Sequence, residues 1–295
     1  MPLNSLTNKS DDPDHAGRLY VVGTPIGNPG DITLRALSVL AQVDLIAAED
    51  TRNTQRLLSH HNLNASLISY HEHNEDKRTP ELIARILKGE SIALVSDAGT
   101  PTVSDPGYKL ITGALAEGIP VVPVPGVSAV TAALSVSGLP TDAFVFIGFP
   151  AKKKSRRSAQ LAALSGERRT IVFYESPKRI KGLLAEIMDA MGDRNVVLSR
   201  EMTKPYEEFL RGRISEVSSI LEPREQVKGE CTLLVAGSGG EIEVDMASVC
   251  ADIRKLMATG DAGLGWISRQ LADKYGISRQ IVYAEGLKIK EGEKP

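Results

Sequence analysis

Val95-Ser96-Asp97-Ala98-Gly99-Thr100-Pro101 is the stretch that decides the fold. It follows an apolar strand pattern, Ile92 to Val95, and ends in residues that stop a strand. Gly99 admits backbone angles closed to most residues, and Pro101 fixes φ and lacks an N–H. Asp97 and Thr100 put polar groups into the same tight space. A second turn, Ser104-Asp105-Pro106-Gly107, follows at once. In an open α/β sheet, ligands sit in loops leaving the carboxyl ends of strands. The segment thus reads either as a small-molecule loop built mostly from backbone, or as an ordinary strand-to-helix connection.

Outward from this loop the chain alternates strands and helices. Before it come a strand at Leu19 to Val22, a helix at Thr33 to Gln42 and a strand at Val43 to Ala48. A short helix at Thr51 to Leu58, a strand at Leu67 to Tyr70 and an amphipathic helix with its core at Glu81 to Leu87 complete that side. After it come a helix at Tyr108 to Glu117, a strand at Val121 to Val124 and a small-residue helix at Val127 to Ser135. Such alternation means a parallel or mostly parallel sheet with helices on both faces. Gly138-Leu139-Pro140-Thr141-Asp142 marks a boundary, and a second alternating set follows. Its strands are Phe144 to Ile147, Thr170 to Tyr174, Val196 to Ser199 and Cys231 to Val235; its helices lie near Ser155 to Leu164, Pro177 to Met191 and Ile214 to Leu221. Gly237-Ser238-Gly239-Gly240 reads as a linker. The expected organisation is a loose polar tail at 1–17, α/β domains at 18–138 and 139–238, and a small helical domain at 245–290.

Composition narrows the function classes. At 295 residues the chain suits about two domains plus something small. Aromatics are only 4%, which argues against binding single strands chiefly by base stacking. The net charge is −2, so any contact with nucleic acid must come from a local patch. Cys231 and Cys250 are the two cysteines, too few for a zinc cluster or a disulfide framework, and a reducing, cytoplasmic setting is expected. No apolar run reaches the ~18 residues of a membrane span. No Rossmann fingerprint, P-loop or nucleophile elbow occurs. His71-Glu72-His73 lacks a third nearby ligand, so a solvated loop is expected there and no metal.

Four strand-end loops remain. Gly23-Thr24-Pro25-Ile26-Gly27-Asn28, Ala48-Glu49-Asp50-Thr51-Arg52, the Asp97 loop and Pro125-Gly126-Val127-Ser128-Ala129 can converge at one sheet edge. They offer backbone groups and hydroxyls with no Lys clamp, which suits a polar ligand other than a phosphate. The first three, together with Phe173-Tyr174-Glu175-Ser176-Pro177 and Arg200-Glu201-Met202-Thr203-Lys204, resemble the ribosomal RNA small-subunit methyltransferase I family of the tetrapyrrole-methylase superfamily. The resemblance runs from about residue 18 to 290. Two departures are Pro125-Gly126-Val127-Ser128 and a shortened Gly148-Phe149-Pro150.

The resemblance implies an α/β fold: two α/β domains of the tetrapyrrole-methylase type with a cofactor cleft between them, plus the small C-terminal helical domain. It implies transfer of a methyl group from S-adenosyl-L-methionine to the ribose 2′-hydroxyl of a cytidine in the decoding region of 16S rRNA, in the small ribosomal subunit, by a cytoplasmic homodimer with no membrane contact. Pro25, Asp97, Gly99, Thr100, Val103, Ser128 and Ala129 are then expected to line the cofactor site, with Tyr174 and Leu210 closing it. Transfer from a sulfonium needs no acid for the leaving group, so alignment dominates. A carboxylate can accept the hydroxyl proton. Glu49 and Asp50 are the candidates by loop position, although Asp50 is equally a natural helix N-cap.

RNA calls for basic surface. Lys152, Lys153, Lys154, Arg156 and Arg157 form one run, and Arg52 and Lys204 are placed to hold phosphate. The run reads either as an RNA surface or as a solvated face. Ile267 to Tyr283 has the spacing of a helix-turn-helix and equally of a plain helical hairpin. Two alternatives stay open: a tetrapyrrole C-methyltransferase acting on precorrin or uroporphyrinogen, and a non-catalytic RNA-binding protein of the same fold. The basic run and the helical tail argue against the first, the intact strand-end loops against the second.

Overall fold

The structure is a computed structural model that describes residues 17–238, 246–258, 263–275 and 279–292. The first layer set is β1 (Leu19–Val22), α1 (Leu34–Gln42), β2 (Leu45–Ala48), α2 (Thr51–His60), β3 (Leu67–Ser69), α3 (Glu75–Ile86), β4 (Ile92–Val95), α4 (Tyr108–Ala116), β5 (Val121–Val124) and α5 (Ala129–Ser135). Its five strands pair in the order β3-β2-β4-β1-β5, all parallel. β2 and β4 read as continuous apolar runs and are buried on both faces, as a sheet covered by helices requires. Leu19, Leu94, Leu82 and Leu110 pack on one face, and Val22, Ile46, Leu40 and Leu58 on the other.

The connections explain where a ligand fits. β2 leads outward to β3, whereas β4 leads across to β5 on the far side of β1. Chains leaving adjacent strands in opposite directions open a crevice at their carboxyl ends. Glu49 and Asp97 stand at the mouth of that crevice.

The second set is β6 (Phe144–Gly148), α6 (Lys154–Ala163), β7 (Thr170–Glu175), α7 (Ile180–Met191), β8 (Asn195–Arg200), β9 (Glu208–Arg213), α8 (Ile214–Leu221) and β10 (Cys231–Val235). Its sheet runs β6-β7-β10-β8-β9, parallel at β6–β7 and antiparallel elsewhere. Leu161, Leu183, Leu184, Ile187 and Val217 bring α6, α7 and α8 onto one face. The opposite face, through Val172, Val197 and Leu234, packs on Val130, Ala133 and Leu134 of α5. Helix α5 thus joins the two sheets.

Several elements differ from the sequence pattern. α3 begins at Glu75, six residues before the helix core expected from Glu81, and carries Pro80 inside it. Proline reads as a breaker; as the sixth residue of α3, Pro80 cannot donate to the Asp76 carbonyl, and the helix nevertheless runs through it. β9 is an edge strand that the sequence reading lacks altogether. Thr33 is the N-cap of α1 rather than its first residue, accepting a bond from the Ala36 N–H at 3.1 Å.

Residues 237–295 form a separate compact unit. Within it α9 (Met246–Ala258), α10 (Leu264–Tyr275) and α11 (Arg279–Glu291) pack around Val249, Ile253, Ile267, Leu271 and Val282. The Asp252 carboxylate ties α9 to α10, accepting bonds from Lys274 and the Tyr275 hydroxyl, each at 2.6 Å. Residues 276–278 within the expected helix-turn-helix, Gly239 and Gly240 of the expected linker, and residues 1–16 of the expected tail lie outside the described residues. No described helix is long and apolar enough to cross a membrane.

Candidate active site

The four strand-end loops meet. Gly23 follows β1, and its N–H donates to the Val124 carbonyl at 3.0 Å. A Cβ built on Gly23 would stand 2.8 Å from the Gly126 backbone, and one on Gly126 2.8 Å from that of Gly23. Two backbones that close admit only glycine on each side. Glu49 and Asp97 lock the β2 and β4 loops together. The Asp97 N–H donates to the Glu49 carboxylate at 3.2 Å, and the Asp50 N–H to the Asp97 carboxylate at 3.1 Å.

A cavity of about 380 Å³ opens between these loops and the second sheet. Asp97, Gly99, Thr100, Val103, Ser128, Ala129, Tyr174 and Glu49 all line it. Asp105, Phe149 and Cys231 line it as well, which sequence reasoning did not assign. Asp105 belongs to the second turn after β4, and that turn signal was the clue to it. Phe149 reaches the cavity because the ladder shifts register between Phe146 and Gly148, where Gly148 has φ +70°. Its ring meets Tyr174 edge-on at 5.7 Å.

Pro25 and Leu210 stand elsewhere. Pro25 lines a neighbouring groove. Leu210 is turned by strand alternation into the core behind the second sheet, and its neighbour Phe209 faces α5.

The cavity is rich in carboxyls and has no Lys or Arg in its lining. Burial raises the Glu49 carboxyl above its ordinary range, reinforced by the charges of Asp97, Glu72 and Asp50, while a hydrogen bond from Asp97 opposes it. Burial and the Glu49 charge push Asp105 up to about 7. Burial, then the Asp105 charge, pushes the Tyr174 hydroxyl up to about 12. Such a lining suits an organic cation, not a phosphate. Asp50 lies outside the cavity. Its carboxylate accepts the Arg52 N–H at 2.8 Å, capping α2, and grips the Arg52 guanidinium at 2.6 Å. Those hydrogen bonds pull it down to about 2, far too weak a base to take a hydroxyl proton.

The basic residues divide. Lys152, Lys153, Lys154 and Arg156 are exposed. Arg157 is instead fixed to Glu186 of α7, at 2.5 and 2.7 Å. Lys204 pairs with Glu201 at 2.9 Å and Glu230 at 3.1 Å, and Arg52 is held by Asp50.

Comparison with known proteins bears on this geometry. The family model of Tetrapyrrole (Corrin/Porphyrin) Methylases matches residues 18–218. A protein of Halalkalibacterium halodurans named ribosomal RNA small subunit methyltransferase I is 49% identical, over 92% of this chain and 94% of its own. One of the same name from Micromonospora olivasterospora is 42% identical, over 92% of this chain and 86% of its own. Among solved structures, a uroporphyrin-III C-methyltransferase of Thermus thermophilus complexed with S-adenosyl homocysteine shares the fold. It has a TM-score of 0.54 and 21% identity, and the match covers 75% of this chain and 97% of that one. The chain belongs to the tetrapyrrole methylases and, among them, to the ribosomal RNA small subunit methyltransferase I family.

Proposed function

We propose that the protein is an S-adenosylmethionine-dependent methyltransferase of ribosomal RNA, and that its product is a ribose 2′-O-methylated cytidine in the 16S rRNA of the small subunit. The relatives at 42–49% identity carry the rRNA assignment, whereas the corrin and uroporphyrin enzymes share the fold at 20–23%. The observation that carries the chemistry is the carboxyl-lined cavity at the carboxyl ends of β1, β2, β4 and β5.

The residues fit the cofactor. The cavity volume, about 380 Å³, lies in the range of small-ligand sites. Glu49, Asp97 and Asp105 without a lining cation fit a positively charged sulfur, and Val103, Ala129 and Phe149 fit its apolar parts. Asp97, Gly99, Thr100, Ser128 and Tyr174 would hold it. Bound there, S-adenosylmethionine supplies an electrophilic methyl group. The protein's own task is to exclude water, align the hydroxyl and take its proton. Glu49, with a raised carboxyl, suits that last role; Asp50 serves the helix instead.

The basic run supports an RNA surface. Lys153 is the N-cap of α6, and Lys154 and Arg156 occupy its first turn, where no acid stands. Cations at a helix N-terminus oppose its dipole, so helix stability does not account for them. A cytoplasmic homodimer completes the reading, and sedimentation at micromolar concentration tests the dimer.

The test of the function is methyl transfer from labelled S-adenosylmethionine to small ribosomal subunits lacking the modification, followed by mapping of ribose methylation. Incorporation at one cytidine 2′-oxygen is expected. Label on a base, or on a tetrapyrrole but not on RNA, overturns the reading.

A further inference from the structure

A second cavity adjoins the first. It measures about 430 Å³ and shares Ile26, Asp97, Ala98 and Glu230 with the cofactor cavity as a common wall. Its other sides come from the Pro25 loop and from the exposed face of α2, through Asn53, Arg56, Leu57 and His60. Lys204 of the second sheet's loop closes it opposite.

Arg56 differs from the other cations nearby. Arg52 is neutralised by Asp50, and Lys204 by Glu201 and Glu230. Arg56 is exposed, has no carboxylate partner among the described residues, and donates only to the Asn53 side-chain oxygen, at 3.3 Å. The Asn53 amide in turn donates to Asp97 at 2.9 Å. A chain of hydrogen bonds therefore runs from the wall of the cofactor cavity to a free guanidinium in the adjoining groove. Asn53 orients Arg56, and Asp97 orients Asn53.

We infer that this groove receives the acceptor nucleotide of the RNA, with Arg56 on its phosphate and the sugar against the Asp97-Ala98 wall. The inference rests on the methyltransferase reading above. Three features lead to it. An acceptor hydroxyl must reach a methyl group in the first cavity, and the groove shares that cavity's wall. A guanidinium without a carboxylate is a fork for a phosphate. The Pro25, Pro29 and Leu57 side chains offer apolar surface beside it for a base or sugar.

The experiment compares Arg56→Ala and Arg56→Lys with wild type and with Gln55→Ala. Gln55 is exposed on the same helix but outside the groove. The readouts are binding of a single-stranded oligoribonucleotide and of small ribosomal subunits against salt, S-adenosylhomocysteine affinity by calorimetry, and steady-state methyl transfer. Arg56→Ala is expected to raise the KM for subunits about tenfold or more, as for removal of one charge-assisted hydrogen bond. The slope of log K against log salt should fall by about 0.7 for the oligonucleotide. Arg56→Lys should restore the slope but only part of the affinity, since the planar fork is gone. S-adenosylhomocysteine affinity and Gln55→Ala should match wild type. Arg56→Ala that binds and methylates RNA like an active wild type overturns the groove alone. Weakened S-adenosylhomocysteine binding in Arg56→Ala also overturns it, by making the groove part of the cofactor site. A wild-type protein inert toward rRNA overturns the underlying reading as well.

Discussion

Thr24 and Gly99 exchange two backbone hydrogen bonds, at 2.8 and 3.1 Å, and so tie the loop after β1 to the loop after β4. The Thr24 hydroxyl adds a third link, to the Ser96 carbonyl at 3.1 Å. Both loops border the carboxyl-lined cavity. Its shape is therefore set by a two-residue bridge that belongs to neither strand.

Gly99 holds that bridge at φ +77°. A Cβ there would meet nothing closer than 3.6 Å, so strain and not collision limits the position. Gly99→Val should destabilise the protein by about 1–3 kcal/mol and weaken cofactor binding. Gly99→Asn should do less on both counts, because Asn tolerates left-handed backbone better than a β-branched residue. Thermal melts with and without S-adenosylhomocysteine measure both effects. Equal losses for Val and Asn would count against strain as the cause.

Gly126 presents the opposite case. Its φ is unremarkable, but its Cβ would lie 2.8 Å from the backbone of Gly23. Gly126→Ala should destabilise by about 1–3 kcal/mol through overpacking, with no flexible side chain to yield. Urea unfolding at constant m-value checks it; a variant within error of wild type refutes the rigid contact.

Asp105 ties stability to pH. Its carboxyl is raised to about 7 in the fold, chiefly by burial. Between the ordinary carboxylate range and pH 7, the folded protein keeps a proton that the unfolded chain has released. Stability contributed by this group therefore falls as pH rises through that window and levels off above it. Asp105→Asn removes the dependence. Its melting temperature relative to wild type should be higher near pH 8 than near pH 5. An offset independent of pH would show that Asp105 titrates as an exposed carboxyl does.

What was legible in the sequence was local chemistry. Gly99, Pro101, Gly23 and Pro125 mark strand-end loops because turn conformations are dictated residue by residue. The parallel strands β2 and β4 announce themselves as unbroken apolar runs. β9 does not, since Glu208-Phe209-Leu210-Arg211-Gly212-Arg213 puts charges at its ends and on Arg211, and an edge strand needs no clean alternation. That hidden strand is why Leu210 was expected at the cavity, although strand alternation turns it into the core behind the second sheet. Asp105 reads as a turn residue, because its burial comes from the cavity around it and not from its neighbours in sequence. The pairing of Lys204 is only half legible in sequence: Glu201 stands three residues before it, whereas the Glu230 that also holds it lies 26 positions away.

Arg157 and its neighbours in the basic run should separate experimentally. The Arg157 guanidinium grips Glu186 with two hydrogen bonds and also donates to the carbonyls of Ala151 and Lys152, at 2.9 and 3.0 Å. It anchors the segment entering α6 onto α7. Arg157→Ala should destabilise by roughly 1.5–3 kcal/mol, the range for hydrogen bonds to charged groups. A double-mutant cycle with Glu186→Ala should recover a coupling of about 0.5–3 kcal/mol. Lys152, Lys153 and Arg156 are exposed and make no such bonds. Their joint replacement by Ala should leave the melting temperature unchanged or slightly raised, because two of the removed charges oppose the α6 dipole. RNA affinity should fall, and the salt slope should drop by roughly 0.7 for each phosphate that is no longer neutralised. S-adenosylhomocysteine binding should stay at wild type. A triple variant that binds small subunits with wild-type affinity and slope would make the run a solvated face, and would leave the groove beside Arg56 to carry recognition.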